Sequence, residues 1–208
     1  MIEFYAARTP NGRKISIMLE ECAARYETHM IDIGKGEQFG ADFTRINPNA
    51  KIPAIVDHDA PEPVIVFESA AILIYLAEKF GRLIPQDARG RAACLSWTAW
   101  QVANVGPRFG EAHHFTSKAP QKCAHAIERF SAETARLLHV LDKRLSEEVY
   151  VAGDYSIADI AVFPWIRVAL EPIAKGRPDL VGATPHIRRW FAEVKARPAV
   201  QRGLAMGR

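Results

Sequence analysis

The chain has 208 residues, of which 49% are apolar and 25% charged, and its formal net charge is +3. It can bury one or two cores and is too apolar for a disordered chain, while so small a charge does not point to a nucleic-acid partner. No apolar run approaches the roughly 20 residues needed to cross a bilayer, so no membrane partner is expected.

The chain opens on the strand-like Met1-Ile2-Glu3-Phe4 rather than a basic leader, which predicts a protein without an export signal. Thr9-Pro10-Asn11-Gly12 breaks this strand before Ile15, Met18, Leu19 and Cys22 recur at helical spacing. The segment from Tyr26 to Ile33 contains a second strand ending at Asp32, so the first unit is strand-helix-strand with a right-handed crossover. Gly34-Lys35-Gly36-Glu37-Gln38 reads as a surface loop, because it lacks the Gly-Lys-Ser/Thr spacing of a nucleotide loop. Lys51 to Val56 and Val64 to Phe67 flank the turn-rich Asp57 to Pro63 and predict an antiparallel hairpin. Glu68-Ser69 then opens a helix running to about Lys79. Strand-helix-strand followed by strand-strand-helix resembles a thioredoxin fold.

Strand signals stop around Phe80 to Pro85, which predicts two domains: an α/β thioredoxin-like domain over 1–81 and an all-α helical domain over 82–208. Leu95, Ala99, Val102 and Gly106 follow one helix face, and Ile127, Phe130, Thr134, Leu137, Leu138, Leu141 and Leu145 a longer one. Ser156-Ile157-Ala158-Asp159 places hydroxyl and carboxylate three residues apart, as in a capping box, so Asp159 reads as structural; Pro164 bends the helix that follows or marks its first turns. Pro185 starts a last predicted helix, whose Arg188, Arg189, Lys195 and Arg197 read as a solvated basic face.

Two local features suggest chemistry. Pro53 has no N–H for a ladder, so Ile52 is expected to carry unpaired backbone groups beside a gap in the sheet; whether their peptide bond is cis is not legible. Ser69 sits at a helix start, where first-turn N–H groups lack partners and favour a carboxylate. A gap beside a carboxylate pocket suits a small peptide. An edge-strand proline with no ligand remains the alternative, and Thr9-Pro10-Asn11-Gly12 by itself reads as a simple turn and helix cap.

Other chemistries find little support. His113 and His114 are adjacent and diverge by about 100 degrees on a helix, and no metal-ligand motif or serine nucleophile elbow is present. Cys22, Cys94 and Cys123 are an odd number at distant spacings, which argues against a disulfide framework and for a reducing, cytoplasmic setting. None occupies the strand-to-helix turn where redox thioredoxins carry their thiol, and all three read as buried small residues.

Ile52-Pro53-Ala54 followed by Phe67-Glu68-Ser69 and Ile72 to Leu76 resembles the glutathione site of the cytosolic glutathione transferases. Within that superfamily, Tyr5 to Gly12 with Lys14-Ile15, Asp32 to Phe39, Asn47 to His58 and His113-His114-Phe115 are most similar to the bacterial nu-class. The resemblance covers nearly the whole chain. It implies glutathione as co-substrate, no metal, glutathione-dependent reduction of small disulfides with weak transferase activity, and no catalytic protein cysteine.

Carried over residue by residue, the resemblance implies that Thr9 and Asn11 face the glutathione sulfur and that Gln38 binds the glycyl or central part. It implies that the Ile52 backbone, beside Pro53, pairs with the cysteinyl part and that Glu68 and Ser69 hold the γ-glutamyl end. Lys51 either neutralises the glycyl carboxylate or is a surface lysine. The resemblance also implies that Arg129 reaches glutathione from the helical domain, within or across the subunits of an expected homodimer. Conjugation of electrophiles, and a non-catalytic glutathione-binding or protein-interaction module, are the competing readings.

Overall fold

A computed structural model describes residues 1–207. Packing divides them into two compact units, Met1–Ile84 together with the segment from Ala196 onward, and Pro85–Lys195.

In the first unit, strands β1 (Ile2–Ala6), β2 (Tyr26–Met30), β3 (Ala54–Asp57) and β4 (Val64–Phe67) form one sheet in the order β2-β1-β3-β4. β1 and β2 are parallel, Ile2 facing Tyr26, and are joined through helix α1 (Pro10–Glu21). The other two pairings are antiparallel, with Tyr5 opposite Ala54 and Ala54 opposite Phe67. Helix α2 (Ala41–Ile46) precedes β3, and α3 (Ser69–Phe80) follows the hairpin. Ile2, Phe4 and Ala6 point inward at the alternating strand period, and with Ile15, Met18, Leu19, Ile55, Ile72 and Leu76 they form the core.

Local chemistry explains where α1 begins. Thr9 caps it, Pro10 fills the first helical position with no N–H to lose, and the Thr9 hydroxyl accepts from the Gly12 N–H at 3.2 Å. The closing helix of the chain, Pro198–Leu204, packs on α1, where the Gly203 carbonyl accepts from Ser16 Oγ at 2.8 Å. A Cβ on Gly203 would lie 2.6 Å from the Ile17 Cα, so only glycine allows the two backbones this close.

The second unit is helical: α4 (Ala88–Trp100), α5 (Gly106–His113), α6 (Ala124–Glu147), α7 (Ile157–Val168) and, after two short helices, α10 (Pro185–Ala196). Residues 101–105, 114–118 and 169–173 are single π turns continuing α4, α5 and α7. α7 is buried nearly all round, as a central helix must be, and carries Pro164 in its interior. The capping box at its start is formed, with both Ser156 and Asp159 engaged.

The expected basic face of the last helix is partly consumed internally. Arg189 donates to the carbonyls of Leu145, Glu148 and Val149, tying α10 to the end of α6. Arg197, just past α10, pairs with Glu21 of α1 at 2.7 Å.

Candidate functional site

Three chain segments converge in the first unit. Asn11 comes from the first turn of α1, Asn47, Lys51, Ile52 and Pro53 from the loop before β3, and Glu68 and Ser69 from the start of α3; together they line a cavity of about 60 Å³. The Ile52-Pro53 peptide is cis, and Ile52 lies just outside the paired register, which begins at Ala54. Asn47 shapes this loop: its Nδ2 donates to the Lys51 carbonyl at 2.6 Å and its Oδ1 accepts from the Asn49 N–H at 2.9 Å. Lys51 is exposed and makes no ion pair with a described residue.

Glu68 immediately precedes α3 and holds φ at 67°, a backbone conformation that costs a non-glycine residue about 1–3 kcal/mol. That turn sets Ser69 at the first helical position, facing the cavity and nearly buried. Free first-turn N–H groups and a hydroxyl thus meet a lysine from the opposite wall, an arrangement suited to an anionic ligand.

Thr9 is not on this cavity. It lines a separate, open one of about 570 Å³ with Arg8, Met30, Ile31, Ile33 and Glu37. Thr9 and Asn11 are therefore neighbours in sequence that face different hollows of the same unit. Gln38 lies in the 3₁₀ turn Glu37–Phe39 and lines neither; its Oε1 is buried without a hydrogen-bond donor among the described residues. Arg129 belongs to the second unit, where Arg108, Arg129, Phe130, Glu133 and Arg136 line a cavity of about 500 Å³. Glu133 is paired bidentately to Arg136, and that guanidinium, aided by Arg108 and Arg129, holds its carboxyl below the usual range.

The cysteines stand apart from these groups. Cys22 and Cys94 are buried, and burial pushes the Cys22 thiol up to about 11. Cys123 is exposed, which corrects the expectation that all three are buried: it occupies the cap position before α6, outside the helix stripe that would have covered it. Among the described residues no group of His, Cys, Asp or Glu side chains is placed to hold a metal ion. Among the described residues no helix is long and apolar enough to cross a membrane.

Comparison with known proteins matches residues 9–79 to the family described as Glutathione S-transferase, N-terminal domain, and residues 105–198 to its C-terminal domain. Disulfide-bond oxidoreductase YfcG of Escherichia coli (strain K12) is 48% identical over 98% of this chain and 94% of its own length. The chain belongs to the glutathione S-transferase family. Its sheet and following helices are accordingly the thioredoxin-like and helical halves of glutathione transferase architecture. The chain is also 44% identical to disulfide-bond oxidoreductase YghU of the same organism, across all of this chain and 75% of that one. A crystal structure of a glutathione transferase from Pseudomonas putida, with one glutathione disulfide bound per subunit, superposes with a TM-score of 0.94 at 40% identity, covering all of this chain and 92% of that one.

Two residues of the chain gain a place here that their sequence positions did not declare. Asn47 was visible only within the segment Asn47 to His58 that resembles the nu-class. Lys14 lies inside α1 yet is 1% exposed, and its ammonium donates to Ser69 Oγ at 3.1 Å. The available signal was a charged residue one turn before Met18, on the apolar stripe of a short helix.

Proposed function

We propose that this protein is a glutathione-dependent disulfide-bond oxidoreductase of the nu-class type, acting on small disulfides and retaining weak transferase activity. One observation carries the reading: Asn11, Lys51, Ile52, Pro53, Glu68 and Ser69, distant in sequence, surround a single cavity. The identity to YfcG and YghU supports the reaction type. In this reading Glu68 and Ser69 hold the γ-glutamyl end of glutathione, the Ile52 backbone beside Pro53 pairs with its cysteinyl part, and Lys51 neutralises its glycyl carboxylate. The undonated-to oxygen of Gln38 suits a ligand N–H from the glycyl or central part.

The sulfur then lies over the first turn of α1, at the rim between the two cavities, where the Thr9 hydroxyl on one side and the Asn11 amide on the other donate hydrogen bonds to a thiolate. Each 1.4 kcal/mol of preference for the anion lowers the thiol pKa by about one unit. The glutathione thiolate attacks one sulfur of the substrate disulfide, forming a mixed disulfide and expelling the other half as thiolate. A second glutathione thiolate attacks the mixed disulfide, giving glutathione disulfide and the second reduced thiol. Two glutathiones are oxidised for each disulfide reduced, and no protein sulfur changes state.

We assign the glutathione-binding domain to residues 1–81 and the helical domain to 82–208, and take the protein as a cytoplasmic homodimer in which Arg129 completes the site. The unpaired state of all three cysteines supports a reducing compartment. Conjugation of electrophiles is the second reading, and the apolar Met30, Ile31 and Ile33 in the open cavity beside Thr9 favour it.

Purified protein with glutathione is to be assayed against a dialkyl disulfide and an aryl halide. Disulfide turnover exceeding conjugation, and falling in Thr9→Ala and Asn11→Ala, is the expected result. Faster conjugation would establish the second reading, and tight glutathione binding without turnover a binding module.

A further inference from the structure

Lys14 is almost wholly enclosed, beside the buried Ile15, Ile17 and Met18 of α1. Burying an ammonium is costly, and Leu or Met would fill the same space between helices without that cost. Its position is therefore informative. The charge lies against Ser69 Oγ at 3.1 Å and is stabilised electrostatically by Glu68, while Lys14 itself is not on the cavity wall that Glu68 and Ser69 help to form.

The geometry of that hydrogen bond constrains the serine. An ammonium has donors only, so Ser69 Oγ is the acceptor. One lone pair is committed to Nζ, so the single hydroxyl hydrogen points away from the ammonium and is available on the side on which Ser69 lines the cavity. Left to itself, a serine hydroxyl rotates to donate or accept as its partner requires. With Lys14 behind it, Ser69 is biased toward donating to the ligand.

We infer that Lys14 is a positioning residue for the γ-glutamyl end of the ligand: acting through Ser69, it biases that hydroxyl toward donating and backs it with positive charge, so that this end selects a carboxylate over a neutral group. The inference rests on the glutathione reading above, and adds the residue that sets its specificity at this end. It also accounts for the strained turn at Glu68, which brings a carboxylate close to Lys14 while presenting Ser69 to the cavity.

The test uses the full-length protein at pH 6, where Lys14 keeps its proton, and titration calorimetry with two ligands, glutathione and glutathione amidated at its γ-glutamyl α-carboxyl group. The unmodified protein should prefer glutathione by tenfold or more. Lys14→Met should weaken glutathione binding by about 10- to 100-fold and cut that preference below about threefold. In a Ser69→Ala background the same substitution should change glutathione affinity by less than about twofold, because its route of action is gone. Should Lys14→Met not fold, Lys14→Gln, which keeps a donor without the charge, takes its place with the same expected loss of discrimination. Equal weakening of both ligands, or unchanged glutathione affinity in a folded variant, overturns the inference alone. Failure of the unmodified protein to bind glutathione overturns it together with the reading it rests on.

Discussion

Thr9 and Gly12 close the first turn of α1 on each other, the Thr9 Oγ1 accepting from the Gly12 N–H at 3.2 Å. A Cβ on Gly12 would come within 2.3 Å of the Ala7 carbonyl oxygen, so the turn is this tight only because residue 12 has no side chain. With its oxygen engaged inside the turn, the Thr9 hydroxyl keeps its hydrogen for a partner outside.

Thr9→Ala should therefore show two separable losses. Removing the cap costs about 1 kcal/mol of stability, read from urea unfolding. Losing a donor to a thiolate lowers disulfide turnover by roughly 10- to 100-fold under conditions where the variant is fully folded. Thr9→Ser, which keeps both functions of the oxygen, should retain most activity. A Thr9→Ser variant as inactive as Thr9→Ala would show that the methyl group rather than the hydroxyl matters.

A variant with Cys22, Cys94 and Cys123 all replaced by alanine should keep its disulfide reductase rate within about twofold. With the Cys22 thiol pushed up to about 11, only on the order of one molecule in ten thousand is thiolate at pH 7, too few to act as nucleophile. Replacing the two buried cysteines should cost about 1 kcal/mol each through small cavities. Abolished turnover in the folded variant would return the chemistry to a protein sulfur.

Burial lowers the Lys14 ammonium from its usual 10.5 to about 7, with Glu68 opposing the change. The unfolded chain holds this proton more tightly than the folded protein. Between about pH 7 and 10.5 the unfolded state thus binds more protons, and stability gains with rising pH across that window; below pH 7 the cost of the buried charge is present in full. Lys14→Met removes this dependence. It should be more stable than the unmodified protein by about 1–4 kcal/mol at pH 6, with the gap narrowing toward pH 9, as followed by urea midpoints. A gap that widens with pH would contradict a charge buried at cost.

Asp159 is buried and accepts from the Val151 N–H at 3.0 Å, Trp190 Nε1 at 2.7 Å and the Ser156 N–H at 3.0 Å. Desolvation pushes its carboxyl up to about 6 although these donors favour the anion. Asp159→Ala strands three buried donors, and should cost about 3–5 kcal/mol. A urea midpoint within experimental error of the unmodified protein would show that the box is dispensable.

Signals confined to a few neighbouring residues could be read directly from the chain. The strand-helix-strand and hairpin-helix order follows from period-two and period-3.6 apolar spacing, and the capping box at Ser156 and Asp159 from a three-residue interval. The stripe from Ile127 to Leu145 likewise declares α6, which extends from Ala124 to Glu147. The six-residue α2 left no such trace, being too short to complete a periodic face, and the π turns differ from α-helix only in which backbone partners meet. Cys123 lay beyond the reach of composition, because exposure at a helix cap depends on what folds over it.

The sequence by itself determined the order of the strands and of the longer helices, the capping box at Ser156 and which residues were equipped to meet a small peptide, because propensity and capping act over a few positions along the backbone. Tertiary packing alone decided that Asn11, Ile52 and Ser69 share one cavity, that Thr9 faces another, that the segment from Ala196 onward packs with the first unit, and that Lys14 reaches Ser69 from within. Those contacts join residues tens of positions apart, and which of them form is set by how buried surfaces fit together.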